Sequence, residues 1–129
     1  MRNSRAAKSY GGTRLETATS LDVTCLLHQR AILELAREAK ARERGDEIAR
    51  RSAVAHARRI AFELVSGIDL GQGELAASLH RLYAFAATRL SPLAPPSDLR
   101  IAAEIFTELG GAYGELLERG RPPSAKSIA

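Results

Sequence analysis

Tryptophan is absent from this chain of 129 residues, and cysteine and methionine occur once each. Aromatic residues make up only 5% of it, so a core cannot be assembled around large rings and must be aliphatic. The lone Cys25 excludes an internal disulfide, and no C-x-x-C or Cys/His spacing accompanies it. It therefore reads as a small buried hydrophobe in the apolar run 23–27 rather than as a reactive thiol. No run approaches the roughly 20 apolar residues of a membrane span. The basic N-terminus, with Arg2, Arg5 and Lys8, lacks the apolar stretch that makes a secretory signal. These absences lead us to expect one soluble, cytoplasmic domain.

What is abundant is alanine and leucine, within a hydrophobic content of 45%. Alternating β-branched runs are scarce, which favours helices over sheet. The net charge of +4 is unevenly placed. Arg2, Arg5, Lys8 and Arg14 stand without an acid in residues 1–14, while the remainder balances 15 basic against 15 acidic residues. Residues 37–59 hold eight basic and four acidic side chains, and residues 60–118 hold three and eight. A duplex-reading protein combines a basic stripe with a recognition motif; only a weak stripe is found here.

Helical periodicity recurs four times between turn signals. The first helix is expected over 19–44, with Thr19 and Asp22 as a T-x-x-D capping box. Its core stripe is Val23, Leu26, Leu27, Ala31, Leu35 and Ala39, and the stop is Arg44-Gly45. Asp46 caps a second helix over 46–66 carrying Val54, Ala57, Ile60, Ala61 and Leu64. A loop, GIDLGQG, leads to a third over 74–90 with Leu75, Leu79, Leu82, Tyr83, Ala86 and Leu90. Residues 91–97, SPLAPPS, end it through their prolines. Ser97 is the expected N-cap of a fourth helix over 98–119. The expected fold is all-α, an antiparallel up-down four-helix bundle with an N-terminal arm over 1–18 and a disordered tail over 120–129.

Two irregularities stand out. The first helix is apolar on a second face as well, through Cys25, Ile32 and Leu33, so it is covered on more than one side, by three neighbours or by a partner. Gly110, Gly111 and Gly114 interrupt the fourth helix at about 0.8–1.0 kcal/mol each. They either admit another helix closely or let this one bend.

No catalytic or metal constellation converges. His28, His56 and His80 fall on three separate helices, with no E-x-x-H pair, so a di-iron bundle is excluded. His28 reads as a satisfied core histidine, and His56 and His80 as surface or rim residues. Neither glycine-rich stretch has a phosphate-loop lysine. Arg50-Arg51 and Arg58-Arg59 share a helix face and read as a solvated, salt-bridged surface. No enzyme, cofactor or metal is expected.

One set of residues is more informative. Tyr10, then Thr17-Ala18-Thr19, Val23, Leu26-Leu27 and Ala31 begin it; Gly45-Asp46, Ile60, Glu63-Leu64 and Ile68-Asp69 follow. Leu79, Leu82-Tyr83, Phe85 and Arg89-Leu90 complete an L-x-x-L-Y-x-aromatic-x-x-x-R-L run. In order and spacing this resembles the FliS family of flagellin export chaperones, over residues 10–118. His28-Gln29-Arg30 stands where that family often carries Tyr-Asp/Asn-Gly, and Ser20 where proline is common. The resemblance implies a cytosolic four-helix protein that binds the disordered C-terminal segment of flagellin. It also implies that the protein prevents premature polymerisation and serves the flagellar type III export apparatus. It places Tyr10 and Leu15 on an arm lying over an apolar groove. The groove residues it points to are Leu26, Leu27, Ile32, Ile60, Leu64, Leu79, Leu82, Tyr83 and Phe85. Two other readings stand beside this one: a basic nucleic-acid binder working through the arm and the second-helix arginines, and a homodimer closed by the surplus apolar surface.

Overall fold

The computed structural model describes residues 11–120 of the chain, with side chains from 21 onward except that of Gln72. Four helices follow in order: α1 (Gly11–Arg44), α2 (Glu47–Ser66), α3 (Glu74–Arg89) and α4 (Pro96–Arg119). There is no strand among the described residues. Each helix packs on its neighbours in a closed ring, α1 against α2 and α4, and α3 against α2 and α4. The two diagonal pairs make no close backbone approach. This is the expected antiparallel four-helix bundle.

The turns explain the topology. After α1, the Gly45 N–H bonds the Arg42 carbonyl and the Asp46 N–H bonds that of Ala41. This is a Schellman closure, and Gly45 takes the left-handed φ of 72° that it requires. Asp46 then caps α2 through a 3.1 Å bond from the Ala49 N–H to its carboxylate, so one residue ends one helix and starts the next. A 3-10 turn, Leu70–Gln72, bridges α2 and α3, nucleated by the Asp69 carboxylate on the Gly71 N–H.

Two helix starts differ from expectation. α1 begins at Gly11, not Thr19. With serine rather than proline at position 20, every backbone N–H through this region can join the ladder, and Thr and Ser cost a helix less than about 0.7 kcal/mol each. Residues 11–18, assigned to an arm, are therefore helical in backbone. The helix spans 34 residues, about 51 Å at 1.5 Å per residue. α4 begins at Pro96, with Pro95 at the cap and no side-chain cap bond. Proline at the first helical position has no N–H to leave unsatisfied, so Ser97 is not needed as the cap. Residues 1–10 and the tail 121–129 lie outside the described residues.

The interior is filled mainly by small side chains. Ala31, Ala57, Ala61, Ala86 and Ala102 are fully buried, alongside a few larger ones: Leu35, Val54, Leu64, Tyr83, Leu90, Leu99 and Phe106. Cys25 is buried too. Val23 and Leu26, expected in the core stripe of α1, face outward, and Leu75 of α3 is 73% exposed. The inward face of α1 keeps Ala31 and Leu35 of that stripe and adds Cys25, His28, Glu34 and Glu38.

Gly110 is where α4 closes on α1. A Cβ there would stand 2.9 Å from the His28 Cβ, whereas Gly111 and Gly114 face open space. Gly110→Ala should therefore destabilise the fold by about 1–3 kcal/mol through overpacking. Gly111→Ala and Gly114→Ala should each stabilise it by up to about 1 kcal/mol. Urea unfolding of the three variants checks this, and equal effects at all three positions would contradict the close approach.

Candidate functional site

The site begins with His28, which is completely buried. Its Nδ1 lies 2.7 Å from the Thr24 carbonyl oxygen. A carbonyl only accepts, so Nδ1 carries the proton, and Nε2 is left to accept the Tyr83 O–H at 2.8 Å. That bond crosses the bundle diagonal from α1 to α3, where no backbone contact exists. Tyr113 and Phe106 of α4 flank the imidazole, at centroid distances of 5.3 and 6.2 Å. Burial pushes the His28 pKa below 6.5, with the Thr24 carbonyl opposing. Burial also pushes the Tyr83 phenol well above its ordinary range, with the neighbouring Tyr113 hydroxyl adding to it. Both groups are neutral across physiological pH.

Beside this network a cleft of about 270 Å³ opens at the end of the bundle holding the α2 C-terminus. Val23, Thr24 and Leu27 of α1 form one wall, and Leu64, Gly67 and Ile68 at the end of α2 another. Tyr83 and Tyr113 reach it from α3 and α4, and Glu63 is its one acid. The cleft suits an apolar side chain with a polar edge, which the tyrosines and the carboxylate can meet.

The opposite end is held differently. Glu38, almost wholly buried, accepts two bonds from Arg42 at 3.1 and 2.9 Å and faces Arg50 at 3.7 Å. Arg50 also donates to Glu47 and, at 2.6 Å, to the Pro92 carbonyl of the α3–α4 connection. Hydrogen bonds from Arg50 and Arg51 hold the Glu47 carboxyl down at about 2. Arg50 and Arg51 of α2 thus form ion pairs, as a salt-bridged helix surface does, whereas the Arg58 guanidinium rests 5.1 Å from the Phe62 ring centre.

The residues singled out from the sequence separate into groups. Leu27, Leu64 and Tyr83 meet in the cleft, although Leu64 and Tyr83 are core residues whose edges reach it. Leu82 and Phe85, 41% and 40% exposed, lie with Leu75 along the outer side of α3. The Arg89 guanidinium rests 4.3 Å from the Phe85 ring centre, keeping that face half-covered. Leu26, 57% exposed, belongs to a separate outer stripe on α1 with Val23 and Leu33. Ile32, Ile60 and Leu79 are half-buried against the core. Tyr10 lies outside the described residues, as does the side chain of Leu15. Val23 and Leu75 are outward apolar residues that sequence periodicity assigned to the core, and Leu33, read from the sequence as part of a second apolar face of α1, is outward too. Ile48 and Leu93, also strongly exposed, carried no signal at all.

Among the described residues no group of three His, Cys, Asp or Glu could hold a metal ion. No helix among them is long and apolar enough to cross a membrane.

His28 yields a pH prediction. Its folded pKa lies below the unfolded value near 6.5, so the unfolded chain takes up the proton first. Its contribution to stability is complete above about pH 6.5 and is lost as pH falls towards the folded pKa. Urea midpoints should decline with acidification in the parent and decline less in His28→Gln. Parallel declines would show that His28 is not the titrating group.

In comparison with protein families, the family model described as flagellar protein FliS matches residues 1–116. Comparison with curated proteins gives no match.

Proposed function

The chain belongs to the FliS family of flagellar proteins, and on that premise we propose that it is a cytoplasmic export chaperone for flagellin. It binds the disordered C-terminal segment of its cargo, keeps it from polymerising, and delivers it to the flagellar type III apparatus. It acts by binding, without catalysis or cofactor.

The observation that carries this reading is the outward apolar surface: Leu75, Leu82 and Phe85 on α3, and Val23, Leu26 and Leu33 on α1. The two stripes lie on diagonally opposed helices, so a single compact ligand does not cover both. An extended chain with short amphipathic helices, wrapping around the bundle, does. The open cleft between α1 and the end of α2, lined by Val23, Leu27 and Tyr83, is a socket for an anchoring side chain. Ordering such a segment costs about 2–5 kcal/mol or more, offset by burying on the order of 1,000–3,000 Å².

Residues 1–15 are read as a competing lid. Tyr10 precedes Gly11-Gly12 at the start of α1, and glycine costs a helix about 1 kcal/mol per position. The first turns are therefore the cheapest to unwind, freeing Tyr10 and Leu15 to fold back over the apolar surface when cargo is absent.

Calorimetric titration with a flagellin C-terminal peptide tests both parts. Leu82→Asp and Phe85→Asp, at exposed positions, should keep the circular dichroism of the parent. Each should weaken binding by about tenfold or more, the loss from one large apolar contact. Deleting residues 1–15 should tighten binding. Unchanged affinity in the Asp variants would refute the α3 surface, and unchanged affinity in the deletion would refute the lid. Steep loss of binding with salt would favour the nucleic-acid reading, and a tight dimer that ignores the peptide would favour the homodimer.

A further inference from the structure

A second groove, of about 360 Å³, lies between α1 and α2 and shares no residue with the apolar cleft. Its base is formed by the buried Ala53 and Glu34 and the half-buried Ala49; its rim is exposed Arg37, Lys40, Arg44, Ser52 and His56. The basic rim is poorly neutralised. Arg37 reaches only Glu34, at 3.5 Å, and Arg44 only Asp46, at 3.8 Å. Lys40 has no ion-pair partner among the described residues. By helical spacing Arg30 on α1 and Arg59 on α2 extend the same face, and neither has an ion-pair partner among the described residues.

The base has the opposite need. Glu34 is 3% exposed, and its Oε1 is buried with no hydrogen-bond partner. His56 Nδ1 stands 3.6 Å away, beyond hydrogen-bond range. A buried carboxylate oxygen left unmet is costly, and an occupant that brings a donor to the base and anionic groups to the rim meets both needs. A DNA phosphodiester backbone brings acceptors only and offers the base no donor. An acidic protein segment supplies both, through its carboxylates and a hydroxyl or amide side chain. The rim fixes its shape: Arg37, Lys40 and Arg44 rise one above another over about 10 Å of helix, matching carboxylates at i, i+3 and i+7.

We propose that the α1–α2 groove docks an acidic helical segment of a second partner protein, with Arg37, Lys40 and Arg44 pairing its carboxylates and Glu34 accepting a hydrogen bond from it. Small residues at the base let that helix approach closely. Because the groove is separate from the outward leucines of α3, the chain can hold apolar cargo and this partner together. The inference stands whether or not the cargo is flagellin.

The test is calorimetry at low ionic strength with the full chain and a synthetic alanine-based helix bearing glutamates at i, i+3 and i+7 and one serine. The expected result is one-to-one binding that Lys40→Glu/Arg44→Glu weakens at least about tenfold, since reversal replaces two attractive rim pairs by repulsion. Glu34→Gln should weaken it a few-fold, and Leu82→Asp should leave it unchanged. Absence of binding, or indifference to the rim reversal, overturns the proposal. Tighter binding of a single-stranded oligonucleotide than of the peptide overturns it in favour of nucleic acid. Peptide affinity unchanged or raised in Glu34→Gln overturns the assigned role of the base.

Discussion

An interior packed largely with alanine governs this molecule. Fully buried Ala31, Ala57, Ala61, Ala86 and Ala102 let the helices close up, and close helices leave no volume for more large side chains at native packing density. The leucines and phenylalanines that do not fit stand outside: Leu26 and Leu33 on α1, Leu75, Leu82 and Phe85 on α3, and also Phe62 on α2 and Leu116 on α4. The narrow interior thus has two results from one cause: a slim bundle and a surplus of apolar exterior. Because alanines bury little area each, apolar burial alone contributes less than in a leucine-filled bundle.

Polar anchors at the two ends offset this. At one end the His28–Tyr83 bond ties the diagonal helices, and Gly110 lets α4 close over it. At the other, Arg50 joins Glu38 of α1, Glu47 of its own helix and the Pro92 carbonyl. Such buried polar contacts are directional, so they fix register where a smooth alanine interface would allow sliding. The cleft lies against the first anchor, which means its shape is set by the same bond that closes the bundle.

The helices, the Gly45-Asp46 turn and the family were legible in the sequence because each is local or carried by ordered motifs. The facing of α1 was legible only in part, at Ala31 and Leu35. Periodicity assumes that large apolar residues mark the core, and in an alanine-filled bundle Val23 and Leu26 mark the exterior instead. The α1 start was missed because Thr19 and Asp22 offered a cap that an unbroken ladder does not need. Burial of Glu38 was invisible for another reason: its carboxylate is held in part by Arg50 of another helix, which no local spacing reveals. His28 was read correctly as a core histidine, but its partner Tyr83, 55 positions away, had no signature.

If outward apolar surface is what the chain offers its cargo, covering it must leave a thermodynamic trace. The most direct test is the heat-capacity change on binding a flagellin C-terminal segment, from calorimetry at several temperatures and two salt concentrations. Burial of apolar area predicts a negative change on the order of a few tenths of a kcal/mol/K, with affinity nearly independent of salt. A heat-capacity change near zero, with affinity that collapses as salt rises, would contradict the account.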